Sequence, residues 1–170
     1  MFSTFYAPVL FLHSWGRWIA LVAAVGTVLA AIRRRDGAAE RWGLIAMTAL
    51  DVQMLLGLLL YFLVSPNMQE ILAHFGDAMK DSASRFWAVE HITPMFAAVI
   101  SAHVGRVLAR NAKTPGAKRS RLLVAFGVAI VLMSSGCRGQ DGPAGVRSSG
   151  CEGARPSPKL TLTPARYRPS

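Results

Sequence analysis

The chain predicts an all-α fold: an antiparallel four-helix transmembrane bundle, a short amphipathic helix on its outer side and a disordered C-terminal tail. Three observations predict it. Of 170 residues, 52% are hydrophobic and the mean hydropathy is +0.35, more apolar than a soluble domain of this size. The apolar residues are gathered into four runs. The basic residues flank those runs on one side only.

The first run, 9–32, carries one charge, Arg17; the second, 43–64, carries Asp51; the third, 86–108, carries Glu90 and Arg106. Each is long enough to cross a hydrocarbon core of roughly 30 Å as a helix. The fourth, 122–135, covers about 21 Å, short of a full crossing. Helices are therefore expected at about 8–32, 43–64, 86–110 and 120–135, within one domain over 1–135. The first run is no signal peptide: the first 16 residues hold no Lys or Arg, and the run is too long for an h-region.

Between the second and third runs, Asn67 and Glu70 have the spacing of a capping box. Met68, Ile71, Leu72, Phe75 and Met79 follow as one apolar stripe, which predicts a helix lying on the outer membrane surface. His74 on it is read as a surface residue. Ser82 or Ser84 is expected to cap the third span. Pro115-Gly116 is expected to break the chain before the fourth.

From 136 to 170 the composition turns to Gly, Pro, Ser and Arg, which cannot bury a core and predicts disorder. The tail holds Cys137 and Cys151 in near-repeats; a thiol site or disulfide is not expected, because nothing near them makes up a ligand set. A reading-frame change in the source DNA would produce so abrupt a shift; resequencing the locus tests that.

The net charge of +10 is distributed as topology signals. Arg33, Arg34, Arg35 and Arg41 follow the first span. Arg106, Arg110, Lys113, Lys118, Arg119 and Arg121 lie between the third and fourth. The opposite side has Lys80 and Arg85. The positive-inside rule makes the basic side cytoplasmic, so the N-terminus is expected outside a bacterial inner membrane. Charges that flank spans give no reason to invoke nucleic acid.

Ionisable groups within spans are costly and mark partners, cavities or cofactors. His13 and His91 are expected at one height, roughly 10 Å above the midplane, with Glu90 beside them and Arg17 one turn below His13. His13, Arg17, Ala20, Ala24 and Thr27 share one face; His91, Met95, Ala98, Ala102 and Gly105 share another. Their small residues allow close helix approach. Arg17 is in reach of Glu90, Asp51 or a carboxylate on a cofactor. Two neutral imidazoles on facing helices can take both axial positions of a haem iron, with Arg17 offsetting the propionates. They can equally be packing residues that hydrogen-bond neighbouring carbonyls. His103 is turned about 120° from His91; it is read as a satisfied histidine near the inner surface rather than as the partner of Asp51. Gln53, Gly57 and Tyr61 form a stripe read as packing, and the scattered methionines likewise. Phosphate-binding loops, metal-protease motifs and hydrolase constellations are absent.

Several stretches occur together: Leu12-His13-Ser14-Trp15-Gly16-Arg17-Trp18; Gln53-Met54-Leu55-Leu56-Gly57-Leu58-Leu59-Leu60-Tyr61-Phe62; Met79-Lys80-Asp81-Ser82 running through Arg85-Phe86-Trp87-Ala88-Val89-Glu90-His91; and His103-Val104-Gly105-Arg106. In these, over about residues 10–135, the chain resembles small bacterial four-helix membrane proteins often labelled cytochrome b-like. Asp51 stands where some members carry a His, and the fourth helix of the family is complete. The resemblance implies an electron-transfer protein binding haem b through His13 and His91, with Arg17 and Glu90 close by. It would work beside a respiratory or quinone-linked membrane partner or as a homo-oligomer. A cofactor-free accessory or assembly subunit is the alternative. A conduit for ions or protons through Arg17, Asp51 and His103 is a third.

Overall fold

A computed structural model describes residues 3–136. Among them every regular element is helical. Helix α1 is Ser3–Ile32 and α2 is Asp36–Leu59, which continues into a π-helical turn, Leu60–Val64. Helices α3, Pro66–Ala73, and α4, Phe75–Ala78, follow. Helix α5, Ser82–Arg85, leads through a second π-helical turn, Phe86–Glu90, into α6, Ile92–Arg110; α7 is Pro115–Ser135. Residues 137–170 lie outside the described residues, and with them both cysteines and the expected disorder.

Three helical stretches, Phe5–Ile32, Asp36–Val64 and Ser82–Arg110, are long and apolar enough to cross a membrane. At about 1.5 Å per residue each exceeds the roughly 30 Å hydrocarbon thickness. Helix α7 also has the length, but it starts with Lys118, Arg119 and Arg121.

The boundaries differ from expectation for identifiable reasons. Helix α1 starts before Pro8, because a proline near a helix start removes only one i→i−4 hydrogen bond. Helix α2 starts at Asp36 rather than 43; its acidic first turn suits the positive end of the helix dipole. Pro115 does not break the chain. It is the first residue of α7, where its missing N–H costs nothing, and the Thr114 hydroxyl accepts from Ala117 N at 3.2 Å.

The loop caps are also other residues. Ser65, held extended by the following proline, accepts from Met68 N, which displaces the Asn67 box. Asp81 caps α5 by accepting from Ser84 N at 2.8 Å, so Ser84 is the partner of the cap rather than the cap. The expected single amphipathic helix is broken at exposed His74, φ −121° and ψ 44°. Its stripe packs inward: Met68 and Ile71 are buried with Ala78 and Ala88, against Tyr61 and Trp87. Only Phe75 of the stripe stays strongly exposed, at 45%.

Helix α1 packs on α2 and α7, and α6 packs on α7 and more loosely on α2. His13 opposes Gly57 and Gly26 opposes Trp42, so α1 and α2 run antiparallel. Gly105 opposes Ala125 and Gly136 opposes His91, so α6 and α7 do too. The interior is built of small residues. Ala20, Ala24, Thr27, Ala98 and Ala102 are fully buried, as both predicted faces require. Around them stand Leu50, Phe126 and Met133.

At the end of the helices opposite His13 and His91, ion pairs tie α2 to α7. Arg119 holds both carboxylate oxygens of Asp36, at 2.6 and 3.2 Å, and Lys118 pairs with Glu40.

Candidate functional site

His13 and His91 lie on α1 and at the start of α6, helices that do not neighbour one another in the packing order. Their side chains nevertheless meet: the ring centroids are 6.5 Å apart, with the planes at 68°. Both are half-buried.

Each imidazole is fixed by neighbours. The Nδ1–H of His91 donates to the Gly136 carbonyl at 3.1 Å. A carbonyl can only accept, so the proton sits on Nδ1 and the lone pair on Nε2. Phe86 and Trp87 stand against this ring, with centroids at 5.9 and 5.5 Å. On the other side, the Gln53 amide donates to the His13 carbonyl. Gly57 is pressed against the His13 ring; a Cβ there would lie 3.1 Å from Cε1. Gly16 makes the same room for Gln53, whose Oε1 would lie 2.5 Å from a Cβ.

Among the described residues, two buried side-chain polar atoms have no hydrogen-bond partner: His13 Nδ1 and Gln53 Oε1. Both are here. Buried polar atoms are almost always satisfied, and an orphan costs about 1–3 kcal/mol.

The other expected members go elsewhere. Glu90 faces outward and binds Arg85 at 2.8 Å, and so leaves the imidazole pair. The cause is the π turn: residues five apart face each other in a π-helix but not in an α-helix. Asp51 is taken by His103, whose Nε2–H donates to Oδ1 at 2.7 Å. That corrects the reading of His103 as satisfied apart from Asp51. The two side chains are 47% and 43% exposed on the outer faces of α6 and α2. Arg17 pairs with neither carboxylate; its guanidinium lies 5.2 Å from the Trp18 ring. Tyr61 donates to the Ala88 carbonyl at 2.9 Å, a packing role as read.

Sequence reasoning missed the two π-helical turns, which stand at the same end of the helices as the imidazoles. The bonds that define them run from Ser65 N to Leu60 O and from His91 N to Phe86 O. Residue preference does not encode such turns. The glycines at 16 and 57 were the available signal that backbone approaches a side chain there.

The class these features define is an all-helical protein with helices suited to a membrane and a half-buried imidazole pair at one end. Compared with known protein families, curated proteins and solved structures, the chain matches none. Among the described residues no group of three or more His, Cys, Asp or Glu could hold a metal ion.

Proposed function

We propose that the chain is a b-type cytochrome-like integral membrane protein that carries electrons near the outer face of a bacterial inner membrane. In this reading α1, α2, α6 and α7 form an antiparallel four-helix transmembrane bundle, with the basic loops in the cytoplasm and the N-terminus outside. Haem b is held by His13 and His91. The observation that carries the proposal is the meeting of the two imidazoles at one end of the helices, with ring centroids 6.5 Å apart.

The residues present fit such a group. The donor set is two imidazoles whose ring centroids lie 6.5 Å apart, the side-chain type that would hold a haem iron. The Gly136 carbonyl orients His91 as a ligand through Nε2, the usual outer-shell arrangement. Phe86 and Trp87 pack against the His91 ring. Arg17, which pairs with no carboxylate among the described residues, would supply charge for haem propionates. When bound, the iron would supply reversible one-electron exchange. The stretches around Leu12–Trp18, Gln53–Phe62 and Arg85–His91 support membership of the cytochrome b-like membrane proteins. A respiratory or quinone-linked membrane partner, or a second copy, would take the electron.

A second reading is a cofactor-free accessory subunit. The His91–Gly136 hydrogen bond favours it, because it satisfies one imidazole without a metal. A reduced-minus-oxidised spectrum of the full chain, purified in detergent after expression with haem supply, separates the two. The cytochrome reading expects Soret and α bands that His13→Ala and His91→Ala each abolish. A bandless wild type, folded by circular dichroism, leaves the accessory reading standing.

A further inference from the structure

The end of the helices opposite His13 and His91 holds a second charged cluster, which the imidazole pair does not use. Arg106 on α6 is only 8% exposed. Its side chain turns inward over Gly43, where a Cβ would stand 3.2 Å from Nη1, so the glycine leaves space for the guanidinium. Nη1 donates to the Glu40 carbonyl at 2.9 Å. No carboxylate of the described residues pairs with Arg106, because Glu40 is taken by Lys118 and Asp36 by Arg119. A guanidinium has five N–H donors and keeps its charge, and burying it without a counter-charge is costly.

Beside it lies a cavity of about 70 Å³, lined by Glu40, Arg106, Ala109, Arg110, Lys118 and Leu122. One water needs roughly 10–15 Å³ of such space, so the cavity is large enough for a small tetrahedral anion. Its lining carries three cations and one carboxylate. Glu40 opposes an anion, but its charge is already met by Lys118. The remaining two positive charges meet no carboxylate of the described residues, and α2 and α7 both start close by with their positive helix ends.

We propose that this cavity binds a phosphate-type oxyanion, with Arg106 as the buried donor and Arg110 and Lys118 at its rim. The phosphate comes either from an anionic phospholipid headgroup or from solution. The proposal does not depend on haem binding.

The test uses the full chain. In detergent, thermal unfolding is followed against inorganic phosphate, with sodium chloride at equal ionic strength as control. In parallel, the protein is moved into nanodiscs of mixed phosphatidylcholine and phosphatidylglycerol, and co-released lipid is read by native mass spectrometry. A saturable, phosphate-specific rise in the midpoint assigns the free anion. Selective retention of phosphatidylglycerol without that rise assigns the headgroup. Neither effect, or equal stabilisation by chloride, overturns the proposal. Arg106→Gln should abolish the effect. Should that variant fail to fold, two others decide: Arg110→Gln should weaken binding by about threefold, and Glu40→Gln should tighten it, because it removes the opposing charge. A folded Glu40→Gln variant that binds more weakly would overturn the anion role, since only a structural role for the Lys118 pair predicts that.

Discussion

His13 and Gln53 show how one residue's surroundings turn a common side chain into a candidate ligand. Gln53 uses its amide N–H on the His13 carbonyl, which leaves its own oxygen and the His13 Nδ1 without partners. That His13 and His91 could meet was legible in the sequence, because the 1.5 Å rise puts both at similar heights in their apolar runs. The orphaned atoms were not, since they arise from packing between α1 and α2. The same limit applies to Asp51 and His103. Their depths are readable from the 1.5 Å rise, but whether two faces meet depends on helix rotation. Their hydrogen bond is half-exposed on the outer faces of the helices. A double-mutant cycle with Asp51→Asn and His103→Leu, by unfolding in detergent and SDS, should give a coupling of about 0.6–1.7 kcal/mol; zero coupling would mean the contact is not formed. Asp81 gives a pH-dependent case outside the spans. Hydrogen bonds from the Ser84 hydroxyl and amide hold its carboxyl below the ordinary carboxylate value. A depressed folded value favours the native state above the unfolded value, and that contribution is lost as pH falls through the folded one. Stability of the wild type should therefore decline below about pH 3.8 more steeply than that of Asp81→Asn. Parallel pH profiles would contradict the cap.

At the scale of elements, the apolar runs located the three long helices, and the small-residue faces located the buried sides of the first and third. The ends escaped because terminal turns are set by caps rather than by hydropathy. Thr114, Ser65 and Asp81 each sit one residue before a helix start and accept from the N–H three residues on, and prolines 66 and 115 occupy the first helical position after two of them. The π turns rotate everything before them, which is why Glu90 meets Arg85 instead of Arg17. Helix α6 crosses α7 at Gly105, where a Cβ would overlap that of Ala125. Gly105→Ala should destabilise the protein by about 1–3 kcal/mol, whereas Gly116→Ala, with nothing within 4 Å, should stay within about 0.5 kcal/mol. Equal effects of the two in a detergent unfolding series would count against the close α6–α7 approach.

At the scale of the molecule, charge asymmetry and hydropathy carry the organisation. The basic residues that read as topology signals also build structure: Arg119 and Lys118 fasten α7 to α2, and Arg106 enters the interior. Net charge alone does not distinguish these roles, because a flanking arginine and a buried one look alike in sequence; Gly43 opposite Arg106 was the local hint. The two ends of the helices thus differ in chemistry, with imidazoles and aromatic rings at one and guanidinium groups and carboxylates at the other. The central claim concerns the first of these ends. Its most direct measurement is low-temperature electron paramagnetic resonance of the oxidised full chain, purified after expression with haem supply. Ligation by His13 and His91 predicts a low-spin ferric signal of bis-imidazole type that disappears in both His13→Ala and His91→Ala. A signal that persists in either variant, a high-spin wild type, or a folded wild type without haem would contradict it.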